Sequence, residues 1–268
     1  MNNKIKIFKT QDGSLGLYDV ELYEVYHSKY GAKTEAFEKF IEPCLILNNK
    51  PLKILDICYG IGYNTKTALL YFKNIELIDC VEIDKELAGE SFKFDFSEDI
   101  NKIIKKNLEK PDFINFYFDD IRKVIKTLDK KYDIIFHDGF ASYKQPQLWS
   151  EDLIKEIISK MHHDSIYCTY NHAKPVLAAL YQNNLFLGKV IKNSKTIATT
   201  ASFNKDLIKN PLNEIELSSL KTKSAITYKD KNLNLSNEEI IKNRKKEIEN
   251  SKRETLSHFI KNLKNKNI

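Results

Sequence analysis

From residue 52 onward the chain alternates between short apolar runs and longer amphipathic ones. The runs "LKILDIC", "IELIDCVEID", "FINFYFDD", "YDIIFHDG", "DSIYCTY", "LFLGKVI" and "TIATTASF" are nearly continuous in apolar residues and rich in Ile, Val, Tyr and Phe. That pattern predicts strands buried on both faces. Between them, apolar positions spaced by three and four residues predict helices over about 62–72, up to 109, just after Asp120, over 147–162 and over 173–183. Strand and helix in alternation imply a doubly wound α/β domain, a mostly parallel seven-stranded sheet covered on both faces. Only "KNSK" separates the last two strands, which predicts an antiparallel C-terminal hairpin at the sheet edge.

The flanks read differently. "QDGS" near the start suits a tight hairpin turn, and "GAKTEAFEKFIEPCLIL" (31–47) has the spacing of a helix with one buried face. Residues 1–50 are therefore read as an N-terminal extension, 51–205 as the catalytic-size domain and 206–268 as a basic helical tail. Within the tail, Ser236 followed by Glu239 forms a capping box that starts a helix. Its lysine- and asparagine-rich end fits either a solvated helix or an arm that contacts RNA.

Composition narrows the classes. No run of about 18 apolar residues is present and the first residues lack a signal-peptide core, so a cytoplasmic protein with no membrane partner is expected. Cys44, Cys58, Cys80 and Cys168 are widely spaced with no CxxC pair, which points to buried thiols and no metal site. The net charge of +6 leans toward an anionic partner.

In open α/β sheets ligands bind beyond the carboxyl ends of the strands, and those ends are rich in functional groups here. The first strand runs into "DICYGIGYN", placing Asp56, Gly60, Gly62 and Asn64 where the chain turns into a helix. Thr65 stands where a dinucleotide fingerprint has its third glycine, and no GKS or GKT follows, so NAD and ATP are disfavoured. Glu82 ends the second strand, where a carboxylate can accept both hydroxyls of a ribose; Asp84 suits a cap on the next helix. Asp120 either accepts from an adenine amine or caps the helix that follows it. Asp138 ends the fourth strand, Tyr170 and Asn171 the fifth, and Phe140 could stack on a splayed base. His162 and His163 fall at a predicted helix end, near its terminal carbonyls. Glycine loop, ribose acid, adenine acid and reaction-site acid, in that order, match S-adenosyl-L-methionine as cofactor.

The segments "DGSLGLYD", "YHSKYGAKTEAFEKF", "ILDICYGIGYN", "HDGFASYKQPQLW" and "TYNHAKPVLAAL" carry a resemblance over about residues 10–205. They resemble the methyltransferase domain of the MnmC family of tRNA-modifying proteins. The resemblance implies a Rossmann-like class I methyltransferase fold and a tRNA partner bound at its anticodon region. It implies methylation of 5-aminomethyl(-2-thio)uridine at the wobble position to the 5-methylaminomethyl form. Asp138 would then align the acceptor amine, Phe140, Tyr170 and Lys144 would contact the substrate, and Tyr26, His27 and Glu35 would close over cofactor or substrate. Cys58 departs from the family in replacing a loop glycine, and Asn193 replaces the glycine of a family turn. No counterpart of the flavin oxidase half of the bifunctional enzymes is expected here, and upstream enzymes in separate chains are expected to supply the amine. Two other readings stand beside this one: transfer of a methyl or aminopropyl group to a small-molecule amine, and a non-catalytic RNA-binding module.

Overall fold

The apolar runs become strands because alternate residues can face two separate cores. The computed structural model describes residues 5–266 apart from Leu22, His27, Ser28 and Asp95. A small antiparallel sheet comes first, made of β1 (Ile5–Lys9), β2 (Leu15–Asp19) and β3 (Glu24–Val25). The large sheet follows with β4 (Leu52–Ile57), β5 (Ile75–Val81), β6 (Ile114–Tyr117), β7 (Tyr132–His137), β8 (Met161–Thr169), β9 (Phe186–Lys192) and β10 (Lys195–Ser202). Its order is β6-β5-β4-β7-β8-β10-β9, with β4 to β8 parallel and β10 antiparallel to both its neighbours. The expected hairpin closes through Asn193 and Ser194, whose positive φ values of 47° and 61° suit a two-residue turn.

Along β4 and β7 the alternation is clean. Leu55, Ile57 and Ile135 face a core shared with α5 (Ile121–Thr127), α6 (Glu151–Ile158) and α7 (Lys174–Gln182). Ile54, Ile134 and Phe136 face the opposite core, shared with α2 (Tyr63–Tyr71) and α4 (Glu98–Glu109).

Both flanks join these cores. The segment expected as one helix over 31–47 is a short α1 (Ala32–Glu35), a π-helical turn (Ala36–Ile41) and a 3-10 stretch (Glu42–Leu47). Its Phe40, Ile41, Cys44 and Leu47 complete the second core, and the thiols of Cys44 and Cys168 meet there at 3.4 Å. Ala225, Tyr228, Leu233 and Ile240 complete the first core, so the C-terminal residues cover the sheet rather than trail from it. The Ser236–Glu239 capping box forms and opens α9 (Asn237–Asn250).

One expected helix is shorter. Over 147–162 the chain makes a 3-10 turn at Pro146–Trp149, extends at Ser150 to cap α6, and ends that helix at Ile158. His162 and His163 therefore lie exposed in β8, not at helix carbonyls, and His163 Nδ1 pairs with Asp164 at 2.9 Å.

The register positions the site. Ile57 lies opposite both Val81 and His137, and Val81 opposite Tyr117, so four strands end level with one another.

Candidate active site

Just beyond those level ends, backbone hydrogen bonds carry the ladder one residue further. Glu82 N donates to Tyr117 O (3.1 Å), Asp138 N to Ile57 O (3.1 Å) and Cys58 N to Val81 O (3.0 Å). The Cα positions of both acids are thus fixed by the sheet. A cavity of about 580 Å³ opens there, a size ordinary for a small-molecule site.

The glycine loop shapes one wall. Gly62 has φ 79°, and a β-carbon on it would lie 2.3 Å from the Tyr59 hydroxyl, so the position tolerates only glycine. Cys58 keeps the left-handed conformation that a glycine would favour, with φ 65°, at a cost on the order of 1 kcal/mol. Gly60 donates its N–H to Glu82 Oε2 at 2.8 Å, and Asp84 N donates to Oε1 at 3.0 Å. Each Glu82 oxygen keeps a lone pair, which is what two adjacent hydroxyls require. Burial raises the Glu82 pKa. Asp84 also accepts from Leu87 N, capping α3 (Lys85–Gly89) as expected.

Neither Gly60 nor Gly62 lines the cavity; their part is to turn the backbone. Asp56 requires a larger correction. It is fully buried below the loop, outside the cavity lining, where Oδ2 accepts from Thr65 Oγ1 at 2.6 Å and Oδ1 has no partner. The strand pleat turns its side chain into the floor, so it is not placed to touch a cofactor. Burial pushes its pKa up to about 7, with Asp138 adding to the rise.

Asp120 proves to be a cap that also borders the cavity. Its side chain accepts from Arg122 N at 2.8 Å, and Arg122 Nη2 reaches its Oδ2 at 2.7 Å. The same guanidinium donates to buried Asp230 (3.0 Å) and to Leu235 O (2.9 Å). Arg122 therefore ties this rim to the C-terminal residues.

Asp138 stands at the opposite wall with Asn64, whose Nδ2 donates to Oδ2 at 2.9 Å. Burial pushes the Asp138 pKa up to about 6, offset by Asn64 and by the charge of Lys39. The following loop is folded back by aromatic contacts. Trp149 stacks on His137 at 4.2 Å and donates its Nε1 proton to Phe140 O at 2.7 Å. Gly139 matters for closeness: a β-carbon there would lie 2.6 Å from Leu148.

The N-terminal residues close the cavity from above. Tyr26 lies over Gly60 and meets Phe140 edge to face at 4.9 Å. Glu35 pairs with Lys39 at 2.6 Å, and Lys39 sits 5.8 Å from the Tyr170 ring. Tyr26, Glu35, Asn64, Glu82, Asp120, Asp138, Phe140 and Tyr170 all line the cavity. Lys144 does not; its Nζ pairs with Glu24 at 2.9 Å and contacts Tyr23 O, so it braces the rim. His27 lies outside the described residues. Lys39, Glu24 and Tyr143 line the site without having been predicted; the four-residue spacing of Glu35 and Lys39 is the one signal that would have found any of them.

The charge of this cavity decides what it can hold. Among the described lining residues, Asp19, Glu24, Glu35, Glu82, Asp84, Asp119, Asp120 and Asp138 are acids and Lys39 is the one strong base. Such a pit attracts cations and repels phosphates. A sulfonium donor with an ammonium tail fits that chemistry, and the paired acceptors on Glu82 fit a ribose.

Comparison with known proteins agrees. Residues 88–203 match a family described as S-adenosyl-L-methionine-dependent methyltransferase. An uncharacterised protein of Methanocaldococcus jannaschii is 33% identical over 252 residues, covering 87% of this chain and 69% of its own. The tRNA 5-methylaminomethyl-2-thiouridine biosynthesis bifunctional protein MnmC of Campylobacter hominis is 23% identical over 177 residues, 60% of this chain. The match takes in only 26% of that longer protein. The crystal structure of MnmC2 from Aquifex aeolicus superposes with a TM-score of 0.80 at 26% identity, covering 92% of this chain and 86% of that one. Among the described residues no helix is long and apolar enough to cross a membrane.

Proposed function

The chain belongs to the S-adenosyl-L-methionine-dependent methyltransferases of the MnmC type, and from that premise we propose that it methylates the aminomethyl group of a wobble uridine in tRNA. The product is the 5-methylaminomethyl form, with or without a 2-thio group. The observation that carries this reading is the acid-lined pit beneath an aromatic rim. A phosphate backbone is repelled from it, whereas a base bearing a cationic amine can enter.

When bound, S-adenosyl-L-methionine supplies an electrophilic methyl group on a sulfonium. Glu82 would hold its ribose, with Asp120 at the adenine end and Tyr26 and Glu35 closing over it. The acceptor amine must lose a proton before it can act as a nucleophile. If its pKa resembles that of lysine, neutralising it at pH 7 costs about 4 kcal/mol. Asp138 favours the ammonium and so aligns the amine, then takes up a proton directly or through water. The charge of Lys39 works against the ammonium, and Glu35, paired with it at 2.6 Å, cancels part of that effect. Phe140 would contact the uridine from the side opposite Tyr26, with Tyr170 beside the amine. This chemistry would take place in the cytoplasm, on tRNA whose aminomethyl group is supplied by other chains.

A small polyamine is the second reading, because eight carboxylates suit a polycation, though it makes no use of the aromatic rim. The deciding experiment incubates the protein with labelled donor and either tRNA carrying aminomethyluridine or a free diamine. Transfer to the tRNA is expected. Transfer to the diamine alone would replace the tRNA reading with the second.

A further inference from the structure

The acid pit leaves a physical problem: an RNA must be held beside a surface that repels its backbone. The rim offers an answer in two exposed tyrosines. Tyr143 borders the cavity with 65% of its surface exposed, and Tyr23 is 76% exposed. Exposed aromatic side chains scattered singly are ordinary; these two are not scattered. They belong to segments far apart in sequence that are fastened together. Lys144 Nζ pairs with Glu24 at 2.9 Å and reaches Tyr23 O at 3.3 Å, while Tyr143 Oη donates to Glu24 Oε1 at 3.4 Å. Lys144 also neutralises Glu24, which follows Tyr23 in the chain and accepts from Tyr143. Tyr23 is held with φ 52°, a conformation that a bulky residue adopts only when its surroundings impose it.

We propose that Tyr143 and Tyr23 form a stacking platform for the unpaired nucleotides that flank the modified one. The proposal rests on the tRNA reading above. Stacking needs only the π-faces of bases, so it works where phosphate contacts cannot. The tyrosine rings supply the faces, and the Lys144–Glu24 bridge fixes their separation. Phe140 is left for the target base inside the cavity. Lys144 acts here as a brace and does not itself grip RNA.

The test uses a synthetic anticodon stem-loop carrying aminomethyluridine, with the full chain and its Tyr143→Ala, Tyr23→Ala, Tyr143→Phe and Tyr23→Phe variants. Each alanine variant is expected to weaken stem-loop binding roughly tenfold and to raise KM for the RNA in step. The phenylalanine variants should stay within about twofold of the unaltered protein, since stacking needs no hydroxyl. Donor affinity, measured separately by calorimetry, should not move. Alanine variants that bind the stem-loop as well as the unaltered protein would overturn the platform while leaving the tRNA reading intact. So would a parallel loss of donor affinity in a variant whose Tm is unchanged, which would place the rings at the donor instead of the RNA. If the unaltered protein neither binds nor methylates the stem-loop, both the platform and the tRNA reading fall.

Discussion

The two halves of the cavity are held by different forces. On the donor side, Glu82 is hung from the sheet by its backbone, and its carboxylate is fixed by two more backbone N–H groups. On the acceptor side only Asp138 is hung in that way. Its surroundings are side chain on side chain: Asn64 on Asp138, Trp149 on His137, Lys144 on Glu24. The donor half is rigid by construction, as a common cofactor requires. The acceptor half can be rebuilt by changing a few side chains, so on the proposed reading substrate choice belongs there.

If that division is correct, the two acids must fail differently. Asp138→Ala should lower turnover by roughly 10²- to 10⁴-fold while leaving donor affinity nearly unchanged. Glu82→Ala should weaken donor binding roughly 100-fold, the loss of two charge-assisted hydrogen bonds, with turnover at saturating donor much less affected. Calorimetry and single-turnover assays separate these outcomes, and a donor-affinity loss in Asp138→Ala would erase the distinction. The Asp138 pKa of about 6 adds a pH signature. Below pH 6 its carboxyl is protonated and cannot hold an ammonium, so kcat/KM should fall on the acid side through that value.

The donor half has a second support. Arg122 joins Asp120 to Asp230, which is fully buried. Arg122→Ala leaves that carboxylate without its charged partner, an expected loss of about 3 kcal/mol, read as a lower midpoint in urea unfolding. An unchanged midpoint would mean that the C-terminal residues contribute little to the stability of the sheet.

These contrasts explain what was legible in the sequence. The alternation of strands and helices, the closing hairpin, and the placing of Glu82 and Asp138 follow from periodicity, because a residue one step past a buried strand must lie at the sheet's carboxyl edge. The rim does not follow. Glu24 and Lys144 are 120 positions apart and meet only because β3 packs near the loop after β7. Lys144 was accordingly placed on the substrate when it braces a neighbour. Periodicity marks a buried face on 31–47 but not which core it joins; Phe40 and Tyr228, with their neighbours, complete the two faces of the sheet. His162 and His163 were misplaced because α6 and β8 adjoin with only Ser159 and Lys160 between them.

Asp56 gives the finest test, since it lies under both halves and touches neither ligand position. Its pKa of about 7, against an ordinary value of 3.8, means that the folded chain keeps a proton which the unfolded chain releases above about pH 4. Its contribution to stability is therefore full at low pH and is lost as pH rises through 7. Asp56→Asn cannot titrate, yet its amide oxygen can still accept from Thr65. Relative to this variant, the unaltered protein should lose roughly 2–3 kcal/mol between pH 5 and pH 8, visible as a Tm gap of several degrees that opens with pH. Donor affinity in Asp56→Asn should stay within about threefold, against the roughly 100-fold loss expected for Glu82→Ala. A loss comparable to that of Glu82→Ala would return Asp56 to the cofactor site. A Tm gap that does not change with pH would mean that the buried carboxyl stays charged and is satisfied by a partner other than Thr65.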